Sequence, residues 1–493
     1  MSQKFRLNKP GYINRDKKIS FKFNGKKYFG YEGDTLASAL LANGVHLVGR
    51  SFKYHRPRGF IGAGVDEPNA LVQLYSGAKT EPNAIATTVE LVEGLVAKSQ
   101  NCWPSVSFDF GSINNFLSKF FPAGFYYKTF MWPKSFWHKI YEPIIRKAAG
   151  LGVAPLKPDP DRYEHKFEFC DILIVGSGPS GLASSLSAAK NGAKVILAED
   201  KPRFGGSLLT DDVTIGNKKG KEWVDETIAQ LKSMPNVIVK NRSQVFGYYD
   251  HNMMVMSERT KDHIEKPSKF IPRQRLWYIR AKEVIISTGS IERPLVFGNN
   301  DRPGVMLSSA AKEYIKVYGV LVGKKPIIFT NNDSGYDTAI EFKKNGVDPL
   351  IVDVRKNSES SIVKEAKNLN INIKFSHGVV NAIGYKKVNS AVIGKLNKEK
   401  TGYESLENII CDCICVSGNW TPTVHLSSQS GNKLKFDEKV NAFVPNQPRQ
   451  NESTIGSAKG KFTLKDSLQD GFIKGYDLSK KITGKDSKTE IPI

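Results

Sequence analysis

The stretch CDILIVGSGPSGLASSLSAAKNGAKVILAED (170–200) decides the fold. A short apolar run, DILIV, ends in a glycine turn; LASSLSAAKNGA reads as a helix and KVILAED as a second strand. In that order they form a βαβ unit, the start of a doubly wound parallel sheet. Gly176, Gly178 and Gly181 stand at the spacing GxGxxG. Gly176 permits the tight turn, Gly178 lets the backbone approach a pyrophosphate, and Gly181 allows the helix to pack closely on the strand. The helix opens beside Pro179 and Ser180, where free N–H groups and the positive end of the helix dipole suit phosphate. Glu199 ends the second strand about 20 residues on, at the place where an acid hydrogen-bonds an adenosine ribose. A carboxylate there repels a 2′-phosphate, which favours NAD or FAD over NADP.

Downstream of Glu199 comes KPRFGGS (201–207). The pair Gly205-Gly206 is either a plain loop or a place where backbone approaches a ligand's phosphate or ribose. KEVIISTG (282–289) is another buried strand, and its last residues, Ser287, Thr288 and Gly289, resemble the motif that closes the nucleotide domain of two-dinucleotide flavoproteins. A second, weaker βαβ repeat covers KKPIIFTNNDSGYDTAIEFKKNGVDPLIVDV (324–354). Where glycines should follow its first strand stands TNNDSG (330–335), whose side chains block a pyrophosphate. One dinucleotide is therefore expected, in the first domain. NIICDCICVSGNW (408–420) reads as a strand that returns to the first sheet.

Upstream, KISFKFNGKKYFG (18–30) alternates apolar and polar residues about Asn24-Gly25, a hairpin signal. Asp34 or Thr35 then caps a short helix that Gly44 stops. This is how a β-grasp, ferredoxin-like domain begins. Its loop GRSFKYHRPRGFIGAGVDEPNA (49–70) has no cysteine, where an iron–sulfur ligand set needs four. His55 in that loop is either structural or an orienting, anion-binding group. Residues 116–142 hold eleven aromatics, among them FYY at 125–127, Trp132, Phe136, Trp137 and Tyr141. Their rings either pack between domains or form a subunit interface. Pro-rich VAPLKPDPDRY (153–163) is a stiff connection.

The expected fold class is α/β, a two-dinucleotide-binding (glutathione-reductase-like) Rossmann architecture preceded by a β-grasp ferredoxin-like domain without cluster cysteines. The expected boundaries are 1–100 for the β-grasp domain, 101–165 for the aromatic-rich linker or interface segment, and 166–290 for the first Rossmann domain. Residues 291–404 form a second, degenerate Rossmann-like domain, 405–480 return to the first, and 481–493 are a polar tail.

Composition narrows the classes further. With 25% charged and 40% hydrophobic residues, the 493-residue chain is globular rather than disordered. No run reaches the roughly 18 apolar residues of a membrane span, and MSQKFRLNKPGYINRDKKIS has no apolar signal region, so a cytoplasmic protein with no membrane partner is expected. The net charge of +23 is dispersed along the chain, which reads as a solvated basic surface with no nucleic-acid role. It would also help recruit an anionic cofactor or an acidic partner. The five cysteines include no CxxC pair, which excludes disulfide reductase chemistry. Cys411, Cys413 and Cys415 read as core thiols, and no metal site is expected. Nothing forms a Ser-His-Asp or paired-carboxylate constellation, so no catalytic residue is assigned.

Several longer segments together resemble the α subunit of heterotetrameric sarcosine oxidase: GRSFKYHRPRG (49–59), EPNA (67–70), GFYYKTFMWP (124–133), CDILIVGSGPSGLA (170–183), GSIERPLVFGNNDRPGVML (289–307) and VSGNWTPTVHLSSQSG (416–431). That resemblance implies a complex that oxidises sarcosine to glycine. It places the amine substrate and its oxidising FAD in a partner β subunit, an FMN at the α–β interface, and smaller subunits alongside. It places NAD, without turnover, in the Rossmann-like domain of the α subunit. Carried onto this chain, the implied nucleotide contacts are Ser180, Glu199, Asp200, Lys201, Ser207 and the strand region at Val245. The late turn IGSAKGKFTL (455–464) adds Ser457, Gly460, Phe462 and Leu464. Family α subunits also carry a half that resembles the folate-binding aminomethyltransferase, with no counterpart in these 493 residues. The rival readings are a self-sufficient FAD-dependent amine dehydrogenase and a scaffold whose dinucleotide has no redox part.

Overall fold

The computed structural model describes residues 3–120, 124, 130–399 and 401–487. The chain divides into two compact units, one of residues Met1–Pro160 with Glu292–Asn419, the other of Asp161–Ile291 with Trp420–Ile493.

The first unit opens with the β-grasp domain. Strands Asn14–Phe23 and Lys26–Glu32 form the hairpin, with Phe23 opposite Lys26 and positive φ at Asn24 and Gly25. This is the turn that matches the twist of the flanking strands. Helix Leu36–Ala42 follows, capped by Thr35: its side chain accepts from the Ser38 N–H while the Ser38 hydroxyl accepts from the Thr35 N–H. Strand Val96–Ser99 runs parallel to Asn14–Phe23 and completes a five-stranded sheet with Leu71–Leu74 and Glu81–Ile85. Thr35 is therefore the cap, and the alternation of apolar residues supplies the sheet's buried face.

The same unit contains the second βαβ repeat: strand Pro326–Thr330, helix Ser334–Lys344 and strand Leu350–Asp353. These lie in a five-stranded parallel sheet ordered Val305–Leu307, Cys413–Ser417, Pro326–Thr330, Leu350–Asp353, Asn372–Phe375. Here one expectation is corrected. Strand Cys413–Ser417 sits between two strands of this second sheet, and the chain returns to the other unit only at Trp420, not at 405. A fully buried parallel strand is an apolar run on both faces, so its pattern does not say which sheet it joins. Cys411, Cys413 and Cys415 are free and buried in this core.

The second unit is built on a seven-stranded sheet. Its path runs Val237–Lys240, Val195–Ala198, Tyr163–Val175, Gln274–Ile286, Met253–Arg259, Ser243–Tyr249, with Glu452–Thr454 also paired to Gln274–Ile286. Strand Gln274–Ile286 is longer than the run 282–289 implied: its first half pairs antiparallel with Met253–Arg259, its last residues parallel with Glu452–Thr454. Helix Pro179–Lys190 packs Leu182, Ala183 and Ala189 into a core with Ile172, Ile174, Val195 and Leu197. The C-terminal helix Leu464–Thr483 lies against it through two glycines. A Cβ on Gly471 would sit 2.2 Å from Ser180 O, and one on Gly475 2.3 Å from Ser184 O. Only residues without a side chain allow that approach.

Of the aromatic segment, Phe125, Tyr126 and Tyr127 lie outside the described residues. Phe116, Phe120 and Trp132 are 84%, 77% and 83% exposed. The last six residues of the expected polar tail also lie outside the described residues. Among the described residues no helix is long and apolar enough to cross a membrane.

Candidate dinucleotide site

The glycine loop joins strand Tyr163–Val175 to helix Pro179–Lys190. Gly176 has φ +99°, and a Cβ there would lie 2.4 Å from Ser287 O. A Cβ on Gly181 would lie 1.9 Å from Gly176 O, so this glycine brings the first turn of the helix against the strand end. Gly178 differs: a Cβ there meets nothing within 4 Å. Its missing side chain leaves open space on the outer side of the loop, the side from which a pyrophosphate approaches. The first helical hydrogen bond is donated by Leu182 to Gly178 O at 3.0 Å, so the N–H groups of Ser180 and Gly181 precede the helical ladder. The groups present fit a dinucleotide diphosphate.

Neighbouring segments hold the loop in place. Ser287 Oγ donates to Val175 O at 2.7 Å and to Gly176 O at 2.8 Å. The Gly205 N–H donates to Ser177 O at 3.1 Å, and Gly206, at φ +54°, comes so close that its Cβ would be 3.0 Å from Gly178 Cα. The Gly205-Gly206 pair is thus packed against the fingerprint loop. The late turn arrives from the other end of the chain. A Cβ on Gly456 would lie 2.5 Å from Ser180 Oγ, and its N–H donates to Asp470 Oδ2 at 3.0 Å. Ser457 Oγ lies 4.0 Å from where a Cβ of Gly289 would be.

Glu199 follows strand Val195–Ala198 and is buried. Its carboxyl accepts from the Ser177 N–H at 2.9 Å, the Ser177 hydroxyl at 2.5 Å and the Lys201 N–H at 3.0 Å. Burial pushes its pKa up, and the neighbouring Asp200 charge adds to this, to about 8. Two jobs thus fall on one side chain, tying strand to loop and standing where a ribose acceptor is needed.

The expected site residues do not all converge. Gly176, Gly178, Pro179, Ser180, Gly181, Glu199, Asp200, Lys201, Gly206, Ser207, Gly289 and Ser457 lie on segments joined by the contacts above. Thr288 turns its hydroxyl to Thr423 O at 2.8 Å. The side chain of Val245 is buried in the core with Val175 and Ala198. Gly460 faces Val440 and Val444, Leu464 packs on the core, and Phe462 is exposed. Sequence reasoning placed Ser287 in the closing motif without its anchoring role, and it missed Ser177, Gly456, Asp470, Gly471 and Gly475. The GxxxG spacing of the last two was a readable sign of close helix packing; the others carry no local signal.

The second βαβ repeat is filled by its own side chains. Thr330 Oγ1 donates to Asn332 O at 2.8 Å, and Asn332 Oδ1 accepts from the Ser334 N–H at 2.8 Å. Asp353 ends the second strand, at the position Glu199 holds in the first repeat, and is fully buried. Arg355 Nη2 donates to its Oδ2 at 2.8 Å, Tyr336 OH donates to the same oxygen at 2.7 Å, and Arg355 Nη1 reaches Asp333 Oδ1 at 2.7 Å. Internal carboxylates and a guanidinium occupy the places of a phosphate and a ribose.

His55, in the β-grasp loop, is buried with Nδ1 2.6 Å from Asp109 Oδ2. Asp109 Oδ1 accepts from the Trp103 N–H at 2.9 Å and the Gly111 N–H at 3.2 Å, so the pair holds two stretches of chain together. Among the described residues no group of three or more His, Cys, Asp or Glu is arranged to hold a metal ion.

Comparison with known proteins follows the same division. The family described as 2Fe-2S iron-sulfur cluster binding domain matches residues 16–102. Within that stretch the only cysteine is Cys102, so four cluster ligands do not exist and the residues do not fit the cluster. The sarcosine oxidase subunit alpha of Rhizobium meliloti (strain 1021) is 45% identical over 447 residues, 89% of this chain and 44% of the relative. That of Corynebacterium sp. (strain U-96) is 31% identical over 93% of this chain and 43% of the relative. The chain thus spans less than half the length of these relatives. Among solved structures, L-proline dehydrogenase from P. horikoshii matches with a TM-score of 0.64 at 18% identity, covering 99% of this chain and 77% of that one, a likeness of fold. The family described as pyridine nucleotide-disulphide oxidoreductase matches residues 170–446, the stretch that carries the glycine loop, Glu199 and the filled second repeat. The chain belongs to the pyridine nucleotide-disulphide oxidoreductase family.

Proposed function

We propose that this chain is an NAD-binding, alpha-type part of a multisubunit sarcosine oxidase, an assembly that demethylates sarcosine oxidatively to glycine. The observation that carries the reading is the 45% identity to a sarcosine oxidase subunit alpha across 89% of the chain. The geometry agrees with a dinucleotide held and not consumed, because one glycine loop is open and the second repeat is filled. When bound, the dinucleotide supplies a nicotinamide for hydride chemistry; this chain's residues hold its adenosine end. Gly178, Ser180 and Gly181 take the diphosphate, and Glu199, with Asp200 and Lys201 beside it, takes the ribose. Ser207, Gly206, Gly289 and Ser457 border the same space; Val245, Gly460, Phe462 and Leu464, which the family resemblance implies as further contacts, lie on the neighbouring strand and the late turn.

In this reading, the FAD that oxidises the amine belongs to a beta-type partner, FMN lies at the interface with it, and smaller subunits complete a cytoplasmic hetero-oligomer. The exposed rings of Phe116, Phe120 and Trp132 support a partner surface, since large aromatic side chains left in water are unfavourable.

A second reading is a self-sufficient FAD oxidoreductase. It is favoured by the open loop at Gly178, which accepts the ADP part of either molecule. Affinity purification from the native cell, with mass spectrometry of the released cofactors, separates the two. NAD in a colourless isolated chain and a co-purifying FAD-bearing partner are expected. A yellow isolated chain that contains FAD and oxidises an amine unaided would refute the proposal.

A further inference from the structure

The first unit contains a group of cations that the dinucleotide site does not use. Arg56 clasps Asp301 with two hydrogen bonds, Nε to Oδ2 at 2.7 Å and Nη2 to Oδ1 at 2.8 Å, and Nη2 also donates to Asn299 Oδ1 at 2.8 Å. Arg58 Nη1 bonds the same carboxylate. Burial alone would raise the Asp301 pKa, but the two arginines hold it down at about 2. Arg302 is next in the chain, and its Nη1 donates to Ala382 O at 3.3 Å. Burial and the charge of Arg56 hold its pKa below that of an ordinary arginine. Two guanidinium groups therefore share one carboxylate and a third stands beside them, so this group of four charges is net positive by two.

These groups border an open space. Arg56, Pro57, Asn115, Asp301, Arg302 and Tyr385 line a cleft of about 80 Å³. That is far below the roughly 300–1,000 Å³ of pockets for drug-sized ligands, but it holds a single tetrahedral oxyanion. The walls are fixed. The Gly298 N–H donates to Val380 O at 2.9 Å, Ala382 N–H to Gly298 O at 2.8 Å, and Val388 N–H to Pro303 O at 2.9 Å. A Cβ on Gly59 would lie 2.8 Å from Pro303 Cα, so the arginine loop and the Asp301 loop are in close contact. A cationic site whose walls need no rearrangement loses little entropy on binding. Guanidinium forks match the oxygens of phosphate, and the Asn115 amide and Tyr385 hydroxyl at the rim add neutral donors.

We propose that this cleft is an oxyanion site for a phosphate dianion, taken as free phosphate or as the end group of a small phosphomonoester. Equilibrium dialysis of the full chain with labelled inorganic phosphate, at ionic strength fixed with chloride, tests it. Saturable uptake of one phosphate per chain is expected. Arg302→Met should weaken it roughly tenfold to a hundredfold, the range for losing hydrogen bonds to a charged group. Asn115→Asp changes an exposed residue, leaves folding alone, and should weaken uptake through repulsion. Glycerol 3-phosphate as a second probe distinguishes the sources: tighter binding than inorganic phosphate points to a phosphomonoester, weaker binding to free phosphate. Lys433→Met, an exposed residue of the other unit, should leave uptake unchanged. Absence of saturable uptake, affinity unchanged from the parent in either cleft variant, or an equal loss in Lys433→Met would overturn the proposal.

Discussion

Glu199 accepts two hydrogen bonds from Ser177, one from its backbone N–H at 2.9 Å and one from its hydroxyl at 2.5 Å. The acid at the end of the second strand thereby braces the glycine loop that follows the first.

Glu199→Ala removes that brace together with the ribose acceptor. Leaving the Ser177 donors unmet costs about 1–3 kcal/mol of stability, and the lost ribose acceptor weakens dinucleotide binding by roughly threefold to tenfold. Mass spectrometry of denatured protein reads the retained NAD per chain. Equal content in variant and parent would reject the assignment of Glu199.

Two buried groups give the ligand-free protein opposite pH limbs. Glu199 has its pKa raised by burial, and by Asp200, from 4.5 to about 8, so its stabilising contribution is complete below 4.5 and lost as pH rises to about 8. Burial lowers the pKa of His46 from 6.5 to about 4, so its contribution is complete above 6.5 and lost as pH falls toward 4. Thermal midpoints measured against pH should show the alkaline limb flatten in Glu199→Gln and the acid limb flatten in His46→Leu. If Glu199→Gln keeps the parent's alkaline slope, the carboxyl is not the titrating group.

Gly178→Ala and Gly181→Ala separate binding from folding. A Cβ at 178 enters open space, so the fold should keep its thermal midpoint while dinucleotide retention falls at least roughly tenfold. A Cβ at 181 would lie 1.9 Å from Gly176 O, so that variant should lose about 1–3 kcal/mol through overpacking. Denaturant titration beside cofactor analysis checks both, and a Gly178→Ala protein that keeps its full cofactor would contradict the role given to that glycine.

Arg355→Ala tests whether the second repeat is filled for stability. It strips a fully buried carboxylate, Asp353, of its charged partner. The loss should be about 3 kcal/mol, at the low end for a broken buried pair because Arg355 is partly exposed. Dinucleotide content should stay at one per chain. A second equivalent of dinucleotide in this variant would show that the arginine was a removable plug rather than a structural tie.

The local features of the site were legible because their causes are local. The glycines at 176, 178 and 181 were readable from their spacing in one strand-to-helix turn, where Gly181 meets Gly176 O, and Glu199 from its place at a strand end. The Asn24-Gly25 turn and the Thr35 cap were readable for the same reason. What escaped was made by distant chain segments. Ser287 anchors the loop from the next strand, and Asp470 holds the Gly456 N–H from the C-terminal helix. Nothing near Asp470 in sequence marks it as different from any solvated acid on a helix.

By itself, then, the amino-acid sequence determined the two βαβ repeats, the first one's capacity for a diphosphate and the second one's lack of it, because backbone sterics and hydrophobic periodicity act over a few residues. Only the tertiary structure decided that Cys413–Ser417 joins the second sheet, that Arg355 binds Asp353, and that Gly471 lies against Ser180. Buried parallel strands are interchangeable in pattern, and a charge pair or a close helix contact exists only once the folded chain brings its members within reach.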